Sequence, residues 1–330
     1  MANHAGPQNI DNPLYTLNIE PVPLPILDER DDKPNVVYSW ADDDKEEFEL
    51  KPVDNISDPI TVHKRSHYQE PPFVAGKYMR VPFLQKHPGH PLAVVFQAMK
   101  AANPDWRCDH VDFIAQSDLL SRIYSWISGD HTSSFVIDAS QVNNTLCITL
   151  FKDEKPSSDS QEDESPSPSP TTIGQHQILE YSFGGLNLLV TSPGHLIHLT
   201  YRQAGVRFAR IFPTNNRPPA RRNNVLSLLW FGGTHTYVSG SVSDGVFKQD
   251  NSWYVPERVH KWGRRNKTRR HMQTMVWLLS YVRIINSWEM FSGSCSIHFE
   301  VSGDHKRLKF YAARRAQKLP TLFGEFWDYT

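Results

Sequence analysis

Apolar residues recur at helical spacing in DLLSRIYSWIS, residues 118–128, where Leu119, Leu120, Ile123, Trp126 and Ile127 share one stripe. Ser117 stands where an N-cap belongs and Gly129 where a helix ends, so the spacing predicts a core-facing helix. Alternating, β-branched runs follow. SFVIDAS at 134–140 and TLCITLF at 145–151 flank Asn143 and Asn144, a strand–turn–strand pattern. HQILEYSF at 176–183 and LNLLV at 186–190 flank Gly184 and Gly185, whose tolerance of positive φ permits a second tight hairpin.

LIHLTY at 196–201, VRFARIF at 206–212 and THTYVSG at 234–240 read as further strands, with NVLSLLWF at 224–231 as a short buried helix. From Pro256 to Trp288 the chain reads helical. Its apolar positions are Met272, Met275, Val276, Leu278, Leu279, Val282 and Ile285, and Gly263 is the expected break. CSIHFEV at 295–301 and RLKFYAA at 307–313 add two terminal strands. This order predicts an α/β fold, a mixed β-sheet with flanking helices, in a single domain over residues 65–330.

Two segments fall outside that pattern. Residues 1–60 carry fourteen Asp or Glu against four Lys or Arg, with an acidic run at Asp42, Asp43, Asp44, Glu46, Glu47 and Glu49. Residues 1–64 are therefore expected to be an acidic, proline-containing, largely disordered tail. Such a tail solubilises, shields a basic surface, or docks a partner through Trp40 and Phe48. Residues 152–175 are rich in Ser, Pro and acid and read as a polar, disordered insertion. Its serines before prolines are exposed candidates for phosphorylation.

With 39% hydrophobic and 12% aromatic residues in 330, there is material for a sizeable core. Cys108, Cys147 and Cys295 lie too far apart for a disulfide framework or a thiol zinc motif. No apolar run approaches the ~18 residues that span a bilayer, and MANHAGPQNIDNP lacks the order of a secretory signal. The expectation is a protein of the nucleus or cytoplasm without membrane contact.

Four stretches carry a resemblance: HPGHPLAVVFQAM at 87–99, DHVDFIAQSDLLSRIYSWIS at 109–128, HQILEYSFGGLNLLV at 176–190 and VLSLLWFGG at 225–233. In that order they resemble a fungal family related to the PD-(D/E)XK nuclease fold, whose members sometimes carry the label geranylgeranyl pyrophosphate synthetase. The likeness covers most of the chain after residue 85 and implies a nuclease-like core. Prenyl transfer needs two aspartate-rich helical segments to hold Mg²⁺ against diphosphate, and Asp42–Asp44 in a Pro-flanked tail do not supply them.

The resemblance implies a carboxylate after the glycine-turn hairpin and a further acid and lysine on the next strand. Two such carboxylates would hold a divalent ion against a scissile phosphate while the lysine orients water. Here Thr191, Ser192 and Pro193 stand at the first landmark, and His198, Leu199 and Thr200 near the second. From Tyr181 to Ser243, 63 residues contain no Asp or Glu. Glu180 is the nearest acid and fits a solvent-facing strand position better than a ligand; nothing in the spacing of Asp112 or Asp138 singles them out. His195 and His198, three apart on a strand, point to opposite faces, so a metal shared between them and His235 is not expected. The cysteines lack a nucleophile motif, and Gly184-Gly185 and Gly232-Gly233 are better explained as turns than as phosphate cradles. No catalytic residue, metal ligand or cofactor is predicted.

Positive charge is what the acid-free span retains. Arg207, Arg210, Arg221 and Arg222 are the leading candidates for phosphate or acidic-partner contacts, accompanied by Arg202 and Arg217. A second patch in HKWGRRNKTRRH, residues 260–271, comprises Lys261, Arg264, Arg265, Arg269 and Arg270, with Lys267 among them. Trp253, Tyr254 and Trp262 are candidate base-stacking rings, or core packing. The expected function is a noncatalytic nuclease-like scaffold binding DNA, RNA or an acidic protein surface; the basic clusters alternatively contact the chain's own acidic N-terminal tail or form an ordinary solvated helix face. The alternative is a divergent metal-dependent nuclease or phosphodiesterase, in which Glu180 and displaced carboxylates converge near a Lys or Arg.

Overall fold

The structure is a computed structural model that describes residues 13, 15–18, 35–40, 61–62, 78–80, 92–131, 133–151, 174–199, 205–213, 222–234, 236–243, 246–254, 256–288, 291, 293–302, 305–312 and 326–327. Four short strands come first: β1 (Tyr15–Asn18), β2 (Asn35–Trp40), β3 (Thr61–Val62) and β4 (Tyr78–Arg80). Then follow α1 (Ala93–Ala102), β5 (Phe113–Gln116), α2 (Ser117–Ser128), β6 (Phe135–Val142) and β7 (Thr145–Leu150). The middle of the chain forms β8 (Gly174–Phe183), β9 (Leu186–Leu199), β10 (Gly205–Pro213), α3 (Arg222–Phe231), β11 (Thr236–Ser243) and β12 (Val246–Tyr254). The last elements are α4 (Pro256–Gly263), α5 (Asn266–Asn286), β13 (Ser294–Ser302) and β14 (His305–Ala312). The result is an α/β fold with a mixed β-sheet flanked by helices. Among the described residues no helix is long and apolar enough to cross a membrane.

The sheet is continuous but branched, in the order β1-β14-β13-β6-β7-β5-β9-β10-β11-β12, with β8 and β3 also pairing with β9, β2 with β8, and β4 with β2. Its pivot is β9. The first half of β9 lies between β5, parallel, and β8, antiparallel, which accounts for the unbroken apolar run at 188–190. Pairing with β5 stops at Thr191 and pairing with β10 starts at His195. Pro193 falls in that gap, where one side of the strand has no ladder partner among the described residues and a missing N–H is tolerated. The two strands expected at 186–190 and 196–201 are thus a single 14-residue strand. From β10 the chain crosses through α3 and returns as β11, parallel to β10.

Adjacent residues on the central strands divide between two cores. Phe113, Leu146 and Leu188 face one apolar cluster with α2 and α5, whereas Ile114, Cys147 and Leu189 face a second with α1, Phe326 and Trp327. Strand alternation produces this division, and helix or C-terminal aromatics cover each face. Trp126 of α2 meets Phe299 edge-on at 5.1 Å, and Met275, Leu278 and Val282 of α5 are all buried.

Both predicted hairpins form, with Asn143 at φ 47° and Gly184 and Gly185 at 60° and 85°. The predicted break at Gly263 separates α4 from α5. Ser117 is not the cap of α2: Gln116 holds that place, and the Ser117 hydroxyl donates to Ser192 instead. Neither α1 nor β12 was expected.

Short stretches of the acidic N-terminal segment join the sheet as strands. Within 1–64, β1 pairs with β14, β2 with β4 and β8, and β3 with β9. Short β-prone runs such as YTLN and NVVYSW are averaged away in a net-charge count, yet each finds a strand edge to complete. The acidic run at 42–49, including Phe48, and the insertion from 152 to 173 lie outside the described residues. Gly174 and Gln175 belong to β8 rather than to that insertion.

Candidate functional site

At the place where the family resemblance implies a carboxylate, β9 presents small neutral groups. Thr191 and Ser192 are buried, and Ser117 Oγ donates to Ser192 Oγ at 3.0 Å. Gly232, after α3, approaches so closely that a Cβ there would lie 2.5 Å from Ser192 Oγ. Gln177 on β8 completes the cluster by donating to Gly232 O and to Thr234 Oγ1. Hydroxyl pairs continue along the α2–α3 contact, with Ser121 and Ser227 hydroxyls 2.6 Å apart and Ser125 donating to Asn224 Oδ1. Small side chains at i, i+4 spacing let the two helices approach.

Arg210, from β10, points into the same region. Its Nη2 donates to Asp118 Oδ2 at 2.6 Å and its Nη1 to the Pro193 carbonyl at 3.2 Å. Asp118 lies in the first turn of α2, where the helix dipole also favours a carboxylate. A hard divalent ion needs several oxygen ligands, mostly anionic. Buried hydroxyls, a proline and one half-exposed carboxylate, Asp118, already paired with a guanidinium, do not fit Mg²⁺ or Mn²⁺ at this place. The side chains of His195 and His198, and residue His235, lie outside what the structure describes.

The remaining acids are held separately. Glu180 is partly exposed: its side chain is 16% exposed and accepts from His110 Nε2 at 3.0 Å. Asp112 pairs with Arg283 and accepts from the Asn187 N–H at 2.8 Å. Asp138 accepts from Ser296 Oγ at 2.7 Å, and burial raises its pKa despite that bond. Among the described residues no group of three His, Cys, Asp or Glu is placed to hold a metal. Burial pushes the Cys108 and Cys295 thiols up to about 12 and the Cys147 thiol well above its ordinary value, the reverse of an activated nucleophile.

The second predicted patch does reach the surface as a group. Lys261, Arg264, Arg265, Arg269 and Arg270 are all exposed at the α4–α5 turn, together with Arg258 and Lys267. A 3.6 Å pair joins Lys261 to Glu257, both well exposed. The first turn of α5 contains no acid, so its cations stand against the positive end of the helix dipole. An incoming anion relieves that repulsion. Trp262 is not a stacking ring for a ligand: it is 2% exposed, meets Tyr124 at 5.1 Å and anchors α4 to the core.

Of the first predicted patch, only Arg210 has a described side chain. Arg210 is committed inward to Asp118 and Pro193. Arg207 lies on β10 opposite Ile197, and Arg222 begins α3, but their side chains lie outside the described set, as does the whole of Arg221. Trp253 and Tyr254 lie on β12, opposite Tyr237 and Thr236, again without described side chains. Asp118 was missed as a partner for Arg210 because 92 residues separate them.

No family model matches the chain, and no curated protein does. Several solved structures are similar. Rai1 of Scheffersomyces stipitis aligns at 10% identity and a TM-score of 0.49, covering 72% of this chain and 78% of that one. Rai1 of S. pombe in complex with 3'-FADP aligns at 9% identity and 0.46, covering 67% and 77%. Dxo1 of K. lactis in complex with manganese aligns at 10% and 0.47, covering 70% and 72%. These are likenesses of coarse shape, and the fold described above rests on strand order and register.

Proposed function

We propose that the protein is a noncatalytic, nuclease-like scaffold that holds a polyanion, nucleic acid or an acidic protein surface, on the exposed cations of the α4–α5 turn. The observation that carries this reading is the joint exposure of Lys261, Arg264, Arg265, Arg269 and Arg270 beside a helix start with no acid. Arginine forks suit phosphate and carboxylate oxygens. The inward commitment of Arg210 supports the noncatalytic half of the proposal, because a cation of the chain itself sits beside Asp118 and Pro193.

The test is a salt series with fluorescent DNA, RNA and acidic peptide, paired with cleavage assays in Mg²⁺ and Mn²⁺. Four phosphate contacts would give a log–log salt slope of roughly −3 to −4. The Arg264→Gln, Arg265→Gln, Arg269→Gln, Arg270→Gln variant should lose most of that slope. Binding to none of the polyanions would overturn the proposal, and metal-dependent turnover by the wild-type chain would overturn its noncatalytic part.

A further inference from the structure

The outward side of α5 carries more than charge, with Trp277 and Tyr281 half-buried against the core. Arg270, Trp277, Tyr281, Ile284 and Trp288 follow one another at spacings of seven, four, three and four, which keeps them on one side of the helix and just past its end. The opposite side is taken up by Met272, Met275, Leu279 and Val282, all buried in the core. Ile284 and Trp288, 55% and 37% exposed, are the exposed large apolar side chains among the described residues, and both lie in this row. Trp277 and Tyr281 stack with centroids 5.4 Å apart and planes at 20°. The Tyr281 hydroxyl shares a 2.7 Å hydrogen bond with that of Tyr15 on β1, and Tyr15 meets Trp288 edge-on at 5.5 Å. The rings therefore form a braced row across helix and sheet edge.

None of the 21 residues of α5 is acidic. Its one cation beyond Arg270, Arg283, is matched by Asp112, so the uncompensated positive charge collects at the N-terminal end. Arg270 and Trp277 are about 10 Å apart along the axis, and Trp277 and Trp288 about 16 Å. A partner for this face must bring anionic groups to one end and flat apolar faces to the other. An acidic peptide supplies the second only where it carries rings, as Trp40 and Phe48 do around the run at 42–49, and a duplex hides its base faces in the stack. Unpaired bases on a phosphate backbone supply both.

Resting on the polyanion reading above, we infer that the outer face of α5 is a track for single-stranded nucleic acid. Phosphates meet Arg269 and Arg270, and bases stack on the row from Trp277 to Trp288.

The experiment compares binding of the full chain to a single-stranded oligonucleotide, an abasic oligomer of equal length and charge, a duplex, and an acidic peptide. The single strand should bind at least tenfold more tightly than the abasic oligomer, a contrast that needs no variant. Trp288→Ala and Trp277→Ala should each cost about tenfold on the single strand and nothing on the abasic oligomer, with the salt slope unchanged; Trp277→Phe should retain binding. Equal affinity for abasic and normal strands, or preference for duplex or peptide, overturns the track while leaving the polyanion surface standing. Absence of binding to every probe overturns both.

Discussion

Arg210 Nη2 lies 2.6 Å from Asp118 Oδ2, joining the third strand of the β8–β9–β10 meander to the first turn of α2. The arginine side chain is 14% exposed and the aspartate 47%, so a sheltered guanidinium is held by a half-solvated carboxylate and a backbone carbonyl. A group engaged in this way is poorly placed to reach a ligand.

Removing it should therefore cost stability rather than binding. Arg210→Ala is expected to lose about 1–2 kcal/mol, discounted for the exposure of Asp118. Urea denaturation measures this, and polyanion affinity should stay within about twofold of wild type. Asp118→Asn should be comparably destabilising, because the sheltered guanidinium then loses its charged partner.

The two turn glycines separate strain from crowding. A Cβ on Gly184, at φ 60°, would lie 2.6 Å from Val276 Cγ2, whereas one on Gly185, at φ 85°, would meet nothing within 4 Å. Gly185→Ala should cost about 1–2 kcal/mol from backbone strain alone. Gly184→Ala should cost about 1–3 kcal/mol more, since α5 must shift at Val276. Equal denaturation midpoints for the two variants would contradict the packing of α5 over the hairpin.

Two histidines make stability fall on the acid side. Burial, then Lys267 and Lys306, lower the pKa of His271; burial, then Arg122, lower that of His131. Unfolded imidazoles take up protons below about 6.5, and the folded ones do so at lower pH. Their stabilisation is complete above 6.5 and is lost as pH falls through the lowered folded values. The urea midpoint should drop between pH 7 and pH 5, and His271→Phe should flatten part of that drop.

The C-terminal aromatics seal the second core. Trp327 is 2% exposed, meets Phe96 at 5.5 Å and donates from its indole to Thr145 Oγ1 at 3.0 Å. The Cys108 N–H donates to the Phe326 carbonyl at 2.7 Å. Trp327→Ala should cost about 3–5 kcal/mol. Thiol labelling at pH 8 should be negligible for the native chain, with Cys108 becoming reactive first in the variant.

Much of the architecture was written locally. The stripe from Leu119 to Ile127, the turns at Asn143 and Gly184-Gly185, and the break at Gly263 each depend on residues a few positions apart, and each formed as the pattern predicts. The same locality exposed the charged cluster at 261–270, because a polar run on an otherwise apolar helix has to face water.

Partnerships across the fold were not legible in that way. Whether Arg210 faced a ligand or Asp118, whether Trp262 stacked on a base or on Tyr124, and whether YTLN near the N-terminus joined a sheet depended on which edges and side chains were brought opposite them. Periodicity records which face of an element avoids water. It carries no record of the distant residue that will satisfy a particular charge, ring or unpaired strand edge, because that choice is made by packing among elements far apart in the chain.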